Sequence, residues 1–145
     1  MGFLIVAGVV LLALAFVGYW AVILSEGVYL GPRVVTWLYD RAARDYDRIK
    51  NLDAADDVRY LARPLLMAME SVADPLVLDV ATGTGRAAVA LLAEADFGGR
   101  VLGIDRSAGM LARAHGKLEA WPERQGLVRA DAGRLPFAEA AFAGV

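Results

Sequence analysis

Residues 77–92 read VLDVATGTGRAAVALL. The opening run Val77–Val80 is apolar except for Asp79, and a short, nearly continuous apolar run marks a strand buried on both faces. ATGTG at 81–85 is a tight glycine turn, and RAAVALLAEA at 86–95 is rich in strong helix formers. A strand, a glycine turn and a helix in that order bring the backbone close to a ligand at a helix N-terminus. Asp79 stands just before the turn, so whatever binds there must tolerate a carboxylate.

The same rhythm continues downstream. Gly98-Gly99 breaks the helix, and RVLGID at 100–105 is a second strand. Ser107 can cap a helix whose Met110, Leu111, Ala114 and Leu118 share one face. Trp121-Pro122 and Gly126 mark a return loop, LVRAD at 127–131 is a third strand, AGRLPF is a loop, and AFAGV at 141–145 begins a fourth strand. These alternating units predict an α/β fold, a Rossmann-like doubly wound parallel sheet with helices on both faces and ligands at the carboxyl ends of its strands.

Two ligands compete for that edge. Gly83-x-Gly85-x-x-Ala88, with Asp105 placed 20 residues after Gly85, satisfies the loose dinucleotide fingerprint, so an NAD(P)-dependent oxidoreductase is one alternative. A dinucleotide, however, brings an anionic pyrophosphate to the turn, where Asp79 would repel it. S-adenosylmethionine brings an ammonium and a sulfonium, both cationic, and a carboxylate that backbone N–H groups can hold. Asp105, ending the second strand, can accept from both ribose hydroxyls, and Asp131, ending the third, can accept from the adenine amine.

The stretches VLDVATGTGRAA, VLGIDRSAGMLARA and VRADAGRLPFAEAAFAGV, in this order and spacing, resemble the class I S-adenosylmethionine-dependent methyltransferases over residues 75–145, and weakly back to Trp37. DVATGTG and GIDRSAGML are most similar to the ubiquinone/menaquinone C-methyltransferase branch and its type 11 relatives. YDRAARDYDRIKNL at 39–52 is similar to the leader of that branch. The resemblance implies S-adenosylmethionine as cofactor, with Asp79, Ala81, Gly83 and Gly85 at its methionine end and Asp105 at the ribose. It implies Asp131 and the backbone of Ala132 at the adenine, Arg106 across one adenine face, and Tyr46, paired with Asp47, closing the site. Two positions depart from the pattern: Ala81 replaces the first glycine of the turn, and Arg86 stands where the quinone branch commonly has an acid. The resemblance implies a methyltransferase whose in-line displacement depends mainly on proximity and alignment, so no catalytic residue is named. It also implies seven strands, of which the chain reaches the start of the fourth. The chain is therefore expected to be the first half of the domain, a fragment or a truncated product needing a partner. It should have little turnover alone and an apolar open edge on its first strand.

Upstream, residues 3–24 (FLIVAGVVLLALAFVGYWAVIL) are uncharged and almost wholly apolar, which at ~1.5 Å per residue gives a helix of ~33 Å. Tyr19 and Trp20 lie near its end, as interfacial aromatics do, and no Lys or Arg precedes it as in a signal peptide. Residues 1–24 are therefore expected to be a single-pass transmembrane anchor. Arg33, Arg41, Arg44, Arg48 and Lys50 follow the span, so the C-terminal domain is expected in the cytoplasm, with the bilayer as partner and a small-molecule or lipid acceptor such as a quinone. Residues 25–74 form an amphipathic helical linker or cap. Within it Asp53 or Asp56 can start a helix carrying Val58, Leu61, Leu65, Leu66 and Met69, and Pro64 should kink or break that helix. Residues 75–145 form the cofactor-binding region.

The chain has 145 residues, a net charge of −2, no cysteine and one histidine, His115. That balance predicts no nucleic-acid partner, and the absence of thiols and of a histidine cluster predicts no metal site. A mean hydropathy of +0.47 reflects the apolar front end. A non-catalytic membrane protein with a nucleotide-binding fold is the remaining alternative.

Overall fold

The computed structural model describes residues 2–25, 27–51 and 53–145. The chain divides between Leu38 and Tyr39 into two compact units. The first begins with helix α1, Gly2–Tyr19, continued by a wider-wound turn over Trp20–Leu24. Together these make a 23-residue helix, long and apolar enough to cross a membrane, with none of it buried in the protein. Gly27 (φ 73°) turns the chain into a single 3₁₀ turn, Val28–Leu30. Gly31 (φ 88°) then leads into Pro32, the first residue of helix α2, Pro32–Ala42, where a missing N–H costs nothing.

The second unit opens with short helices. Helix α3 is Tyr46–Ile49, and α4 is Ala54–Asp57, capped by Asp53, whose carboxylate accepts from the Ala55 N–H at 2.7 Å. A wide turn over Val58–Ala62, closed by the Arg63 N–H on the Val58 carbonyl, joins α4 to α5, Arg63–Ala68. The break expected at Pro64 is this wide turn. Proline offers no N–H to the preceding carbonyls, and the helix relieves the mismatch one residue earlier.

Strand β1, Leu76–Val80, helix α6, Arg86–Ala93, strand β2, Arg100–Asp105, helix α7, Ala108–Leu118, and strand β3, Gln125–Arg129, follow in turn. The strands are parallel in the order β1-β2-β3, with Val77 beside Val101 and Val101 beside Gln125. Two of the expected strand limits move. Gly126 lies inside β3 rather than in the return loop, paired in register with Leu102 of β2, whose Cδ1 a side chain at 126 would press on. Asp131 in turn lies two residues past the strand end. On the free side of β1, Gly144 forms a parallel bridge with Val77: the Leu78 N–H donates to the Gly144 carbonyl (2.9 Å) and the Ala143 N–H to the Leu76 carbonyl (2.8 Å). The edge expected to stand open is thus paired at that point, and Val77 and Leu78 are themselves buried. With β2 on one side of β1 and Gly144 on the other, the order across the sheet switches at β1, and the carboxyl ends of strands at such a point are where ligands bind in open α/β sheets.

The core joins the sheet to helices on either side in sequence. Val77 and Val101 meet Ala88, Leu91 and Leu92 of α6, Ala114 and Leu118 of α7, and Ala62 and Met69 from the segment before β1. Burying each large aliphatic side chain contributes about 1.5–3 kcal/mol, so the helical leader is held to the sheet by the same hydrophobic term that holds α6 and α7.

Candidate cofactor site

The carboxyl ends of β1 and β2 meet at the glycine turn. The Thr82 N–H donates to the Ile104 carbonyl at 2.9 Å, which ties the turn to β2. Asp105 accepts from the Gly83 N–H with one oxygen (2.9 Å) and from the Ser107 N–H with the other (2.8 Å). A carboxylate has about four acceptor positions, so both oxygens keep capacity for further donors. Asp79 accepts from the Thr82 hydroxyl at 2.6 Å. The turn contains two glycines with different physical roles. Gly85 (φ 80°) is the N-cap of α6, and a Cβ there would lie 3.1 Å from that of Ala114, closer than an ordinary contact, so α7 would have to give way. At Gly83 (φ 56°) an added Cβ would meet nothing nearer than 3.9 Å, and the residue faces open space. Ala81 shares the left-handed conformation (φ 59°) without the freedom of glycine, at a cost of about 1–2 kcal/mol.

Asp131 stands further along the edge. It accepts from the Gly133 N–H (3.0 Å), which folds 131–134 into a turn carrying Ala132, and its other oxygen lies 3.6 Å from Arg106 Nη1. Arg129 Nε donates to the Arg106 carbonyl (2.8 Å) and the Ala130 N–H to the Asp105 carbonyl (3.1 Å), which holds this loop beside the end of β2. The Arg106–Asp131 pair is exposed, so it is weak and the guanidinium remains free to turn onto a ring.

The segment before β1 reaches the same place through three acids. Asp47 accepts from the Thr84 hydroxyl inside the glycine turn (2.5 Å) and pairs with Lys117 of α7 (2.5 Å), while Lys117 also donates to the Thr84 hydroxyl (3.0 Å). Asp57, almost fully buried, pairs in bidentate fashion with Arg86, the first residue of α6. Asp40 accepts from the Ser107 hydroxyl (2.5 Å) and the Gly109 N–H (2.8 Å) at the start of α7. Tyr46 packs instead against the Tyr39 ring, centroids 5.8 Å apart, with the Lys50 ammonium 5.9 Å from its own centroid. Of the Tyr46-Asp47 pair, the aspartate hydrogen-bonds Thr84 of the turn, and Tyr46 lies within electrostatic reach of Arg86 just after it.

The charges follow from these contacts. Burial pushes the Asp79 carboxyl above its ordinary range and the Asp105 charge adds to the shift, against the Thr82 hydrogen bond. The Ser107 hydroxyl and Gly109 N–H hold Asp40 below that range. Asp47 is partly desolvated, but its hydrogen bonds from Lys117 and Thr84 outweigh that and its carboxyl is lowered. The Asp57 carboxylate raises Arg86 further. Asp40, Asp47 and Asp57 are therefore matched to partners, whereas Asp79 and Asp105 together leave a surplus of negative charge beside the open face of Gly83. A pyrophosphate would worsen that surplus. A cationic ligand bearing ribose hydroxyls and a carboxylate for backbone N–H groups would relieve it, and S-adenosylmethionine has those groups.

Residues 77–145 match the family model described as a methyltransferase domain. The chain belongs to the class I S-adenosylmethionine-dependent methyltransferases, whose cofactor is S-adenosylmethionine. Among its relatives are demethylmenaquinone methyltransferases. That of Lactiplantibacillus plantarum is 33% identical over 110 residues, 74% of this chain and 46% of the relative. That of Thermus thermophilus is 37% identical over 106 residues, 72% of this chain and 47% of the relative. The chain spans about half the length of the curated relatives it matches. Two solved structures share the fold. An S-adenosylmethionine-dependent methyltransferase of Clostridium acetobutylicum aligns with a TM-score of 0.50 and 20% identity, over 68% of this chain and 39% of that one. The [4+2]-cyclase SpnF aligns with a TM-score of 0.57 and 22% identity, over 74% and 45%. A fold that also serves a cyclase does not define the reaction, and the methyltransferase assignment rests on the family match.

The glycine turn, Asp79 and Asp105 were legible in the sequence. Thr82, Thr84, Lys117, Asp40 and Asp57 were not identified as part of the site. Thr82 bonds Asp79 three residues away, but the partners of the others lie up to 70 residues away in the chain, and no local pattern announces such pairs.

Proposed function

We propose that this protein transfers the methyl group of S-adenosylmethionine to a lipid-soluble quinone-type acceptor at a membrane. In this reading Asp79, Ala81, Gly83 and Gly85 hold the methionine end of the cofactor. Asp105 holds the ribose hydroxyls, and Asp131 and the Ala132 backbone hold the adenine, with Arg106 across one face. Tyr46 helps close the site through the segment that Asp47 ties to Thr84. The bound cofactor supplies an already activated methyl group, and the residues named here bind and orient it. The single observation that carries the reading is the pair of carboxylates, Asp79 and Asp105, bracketing an open glycine turn whose Gly83 N–H is already held by Asp105. The similarity to demethylmenaquinone methyltransferases supports the quinone.

The helix over residues 2–24 is proposed to cross the bilayer once, with the domain on the cytoplasmic side. Its apolar length and lack of buried residues support a span, and the cations after it support the orientation. Source membranes, which hold the protein together with any partner it needs, supplied with methyl-labelled S-adenosylmethionine and demethylmenaquinone, should label the quinone, and Asp105→Ala should lower cofactor affinity by about tenfold or more, the value of a lost charged hydrogen bond. Labelling of a protein or nucleic acid but not of quinone would overturn the acceptor. If removal of residues 2–24 left transfer to a bilayer-borne quinone unchanged, the anchor would have no part in acceptor access.

A further inference from the structure

After the apolar helix the chain does not run straight out from its end. Ser25 closes it, its hydroxyl donating to the Ala21 carbonyl at 2.8 Å, and the Gly27 N–H reaches back to the same carbonyl at 3.1 Å. Gly27 then reverses the path, so that the Tyr29 ring stacks on the Trp20 ring, centroids 5.3 Å apart and planes 21° from parallel. Tyr29 is thereby brought back to the level of the helix's last turn. A side chain at Gly27 would collide with Leu38 Cδ1 at 2.7 Å, and Val34 and Val35 lie within 4 Å of the same point. The apolar side of α2 is thus folded onto the turn.

Several large apolar groups are left uncovered. Val28 is 66% exposed, Tyr29 73%, Leu30 46% and Trp37 59%. Arg33 and Trp37 lie four residues apart, on one face of α2, and both are exposed. Arg33 has no ion-pair partner among the described residues. An aliphatic and tyrosyl turn, a tryptophan one helical turn beyond an exposed arginine, and a link of a few residues to a helix of membrane-spanning length form one continuous surface. Its occupant must accept aliphatic groups, aromatic rims and a cation at one depth, which is the chemistry of the boundary between lipid headgroups and acyl chains.

We infer that residues 28–37 form an interfacial foot, in which Val28, Tyr29 and Leu30 enter the headgroup boundary beside Trp20 and α2 lies along the bilayer surface through Trp37 and Arg33. The inference rests on the reading of residues 2–24 as a span. Its consequence is that the protein meets the membrane over a turn and the start of a second helix, in addition to one helix.

The test uses the full chain in nanodiscs of phosphatidylcholine and phosphatidylglycerol. The chain has three tryptophans, Trp20, Trp37 and Trp121. The variant Trp20→Phe/Trp121→Phe reports Trp37 alone, and Trp37→Phe/Trp121→Phe reports Trp20 alone. Emission is measured with spin labels at the headgroup or deep in the acyl chains, and with aqueous acrylamide. The foot predicts that Trp37 is quenched by headgroup labels as strongly as Trp20, more weakly by deep labels, and is shielded from acrylamide. Quenching of Trp20 with an unquenched, acrylamide-accessible Trp37 would overturn the foot and leave the span standing. Trp37 shielded from acrylamide yet untouched by lipid labels would mean that protein covers it, and would also overturn the foot. Absence of lipid quenching at Trp20 as well would overturn the span and the foot together.

Discussion

The two glycines of the turn differ in what a side chain would meet. Both have left-handed backbones, φ 56° at Gly83 and φ 80° at Gly85. Replacing either by alanine costs about 1–2 kcal/mol of backbone strain, offset by about 0.4–1 kcal/mol through a stiffer unfolded chain, for a net loss of about 1 kcal/mol. At Gly83 that is the whole cost, since the added methyl meets nothing nearer than 3.9 Å. At Gly85 the methyl would sit 3.1 Å from Ala114 Cβ and 3.3 Å from its Cα, which belongs to the backbone of α7 and has little freedom to yield. Overpacking there adds about 1–3 kcal/mol, so Gly85→Ala should lose about 2–4 kcal/mol. Cofactor binding is read at Gly83, where the fold itself loses least. The Gly83 methyl would occupy the space beside the surplus charge of Asp79 and Asp105, and S-adenosylmethionine affinity should fall by about tenfold or more, about 1.4 kcal/mol. The measurements are urea unfolding of the detergent-solubilised chain and calorimetric titration with S-adenosylmethionine. Equal destabilisation by the two substitutions would refute the asymmetry of the turn. Undiminished binding by Gly83→Ala would refute the turn as the cofactor cradle.

Other predictions use the same contacts. Asp79 has a raised carboxyl, so its ionisation costs stability as pH rises from the ordinary carboxylate range through the raised value. Asp79→Asn keeps an acceptor for Thr82 and should raise the melting temperature of the ligand-free protein at neutral pH while abolishing S-adenosylmethionine binding; a lower melting temperature would contradict the burial argument. Asp40 is shifted the other way, and its contribution is present above the ordinary range and lost as pH falls through the lowered value. Asp40→Asn should therefore flatten the acid limb of a stability–pH curve. Ala81→Gly relieves a left-handed alanine and should stabilise the fold by up to about 1 kcal/mol, read as a shift in urea midpoint. Arg86→Met strands the nearly buried Asp57 carboxylate; after discounting for the partly exposed guanidinium it should cost about 1–2 kcal/mol, and adding Asp57→Leu should recover part of that in a double-mutant cycle.

How far the sequence reached can be followed at particular residues. RVLGID at 100–105 is β2 residue for residue, and Ser107 caps α7 with its side chain on the Met110 N–H. Both depend on neighbours within one turn of chain, where alternation and capping chemistry act. The third strand begins and ends two residues earlier than its local pattern suggests, because Gly126 reads locally as a loop residue and only its pairing with Leu102 of β2 places it in the sheet. Of the leader's acids only Asp47 stands in a stretch with a reading, the Tyr46-Asp47 pair; Asp40 and Asp57 offer none, and each meets a different partner.

From the sequence alone came the strand–turn–helix unit, the parallel sheet, the acids at its edge and the apolar length of the first helix, because periodicity, turn chemistry and hydropathy act between near neighbours. Tertiary structure alone decided that Asp47 meets Thr84 and Lys117, that Asp57 neutralises Arg86, that Gly144 pairs with β1 and that Tyr29 returns to Trp20. Each of those contacts joins residues brought together only by burial of the core or by a reversal of the chain. Their energies depend on distance and desolvation, which linear spacing does not encode.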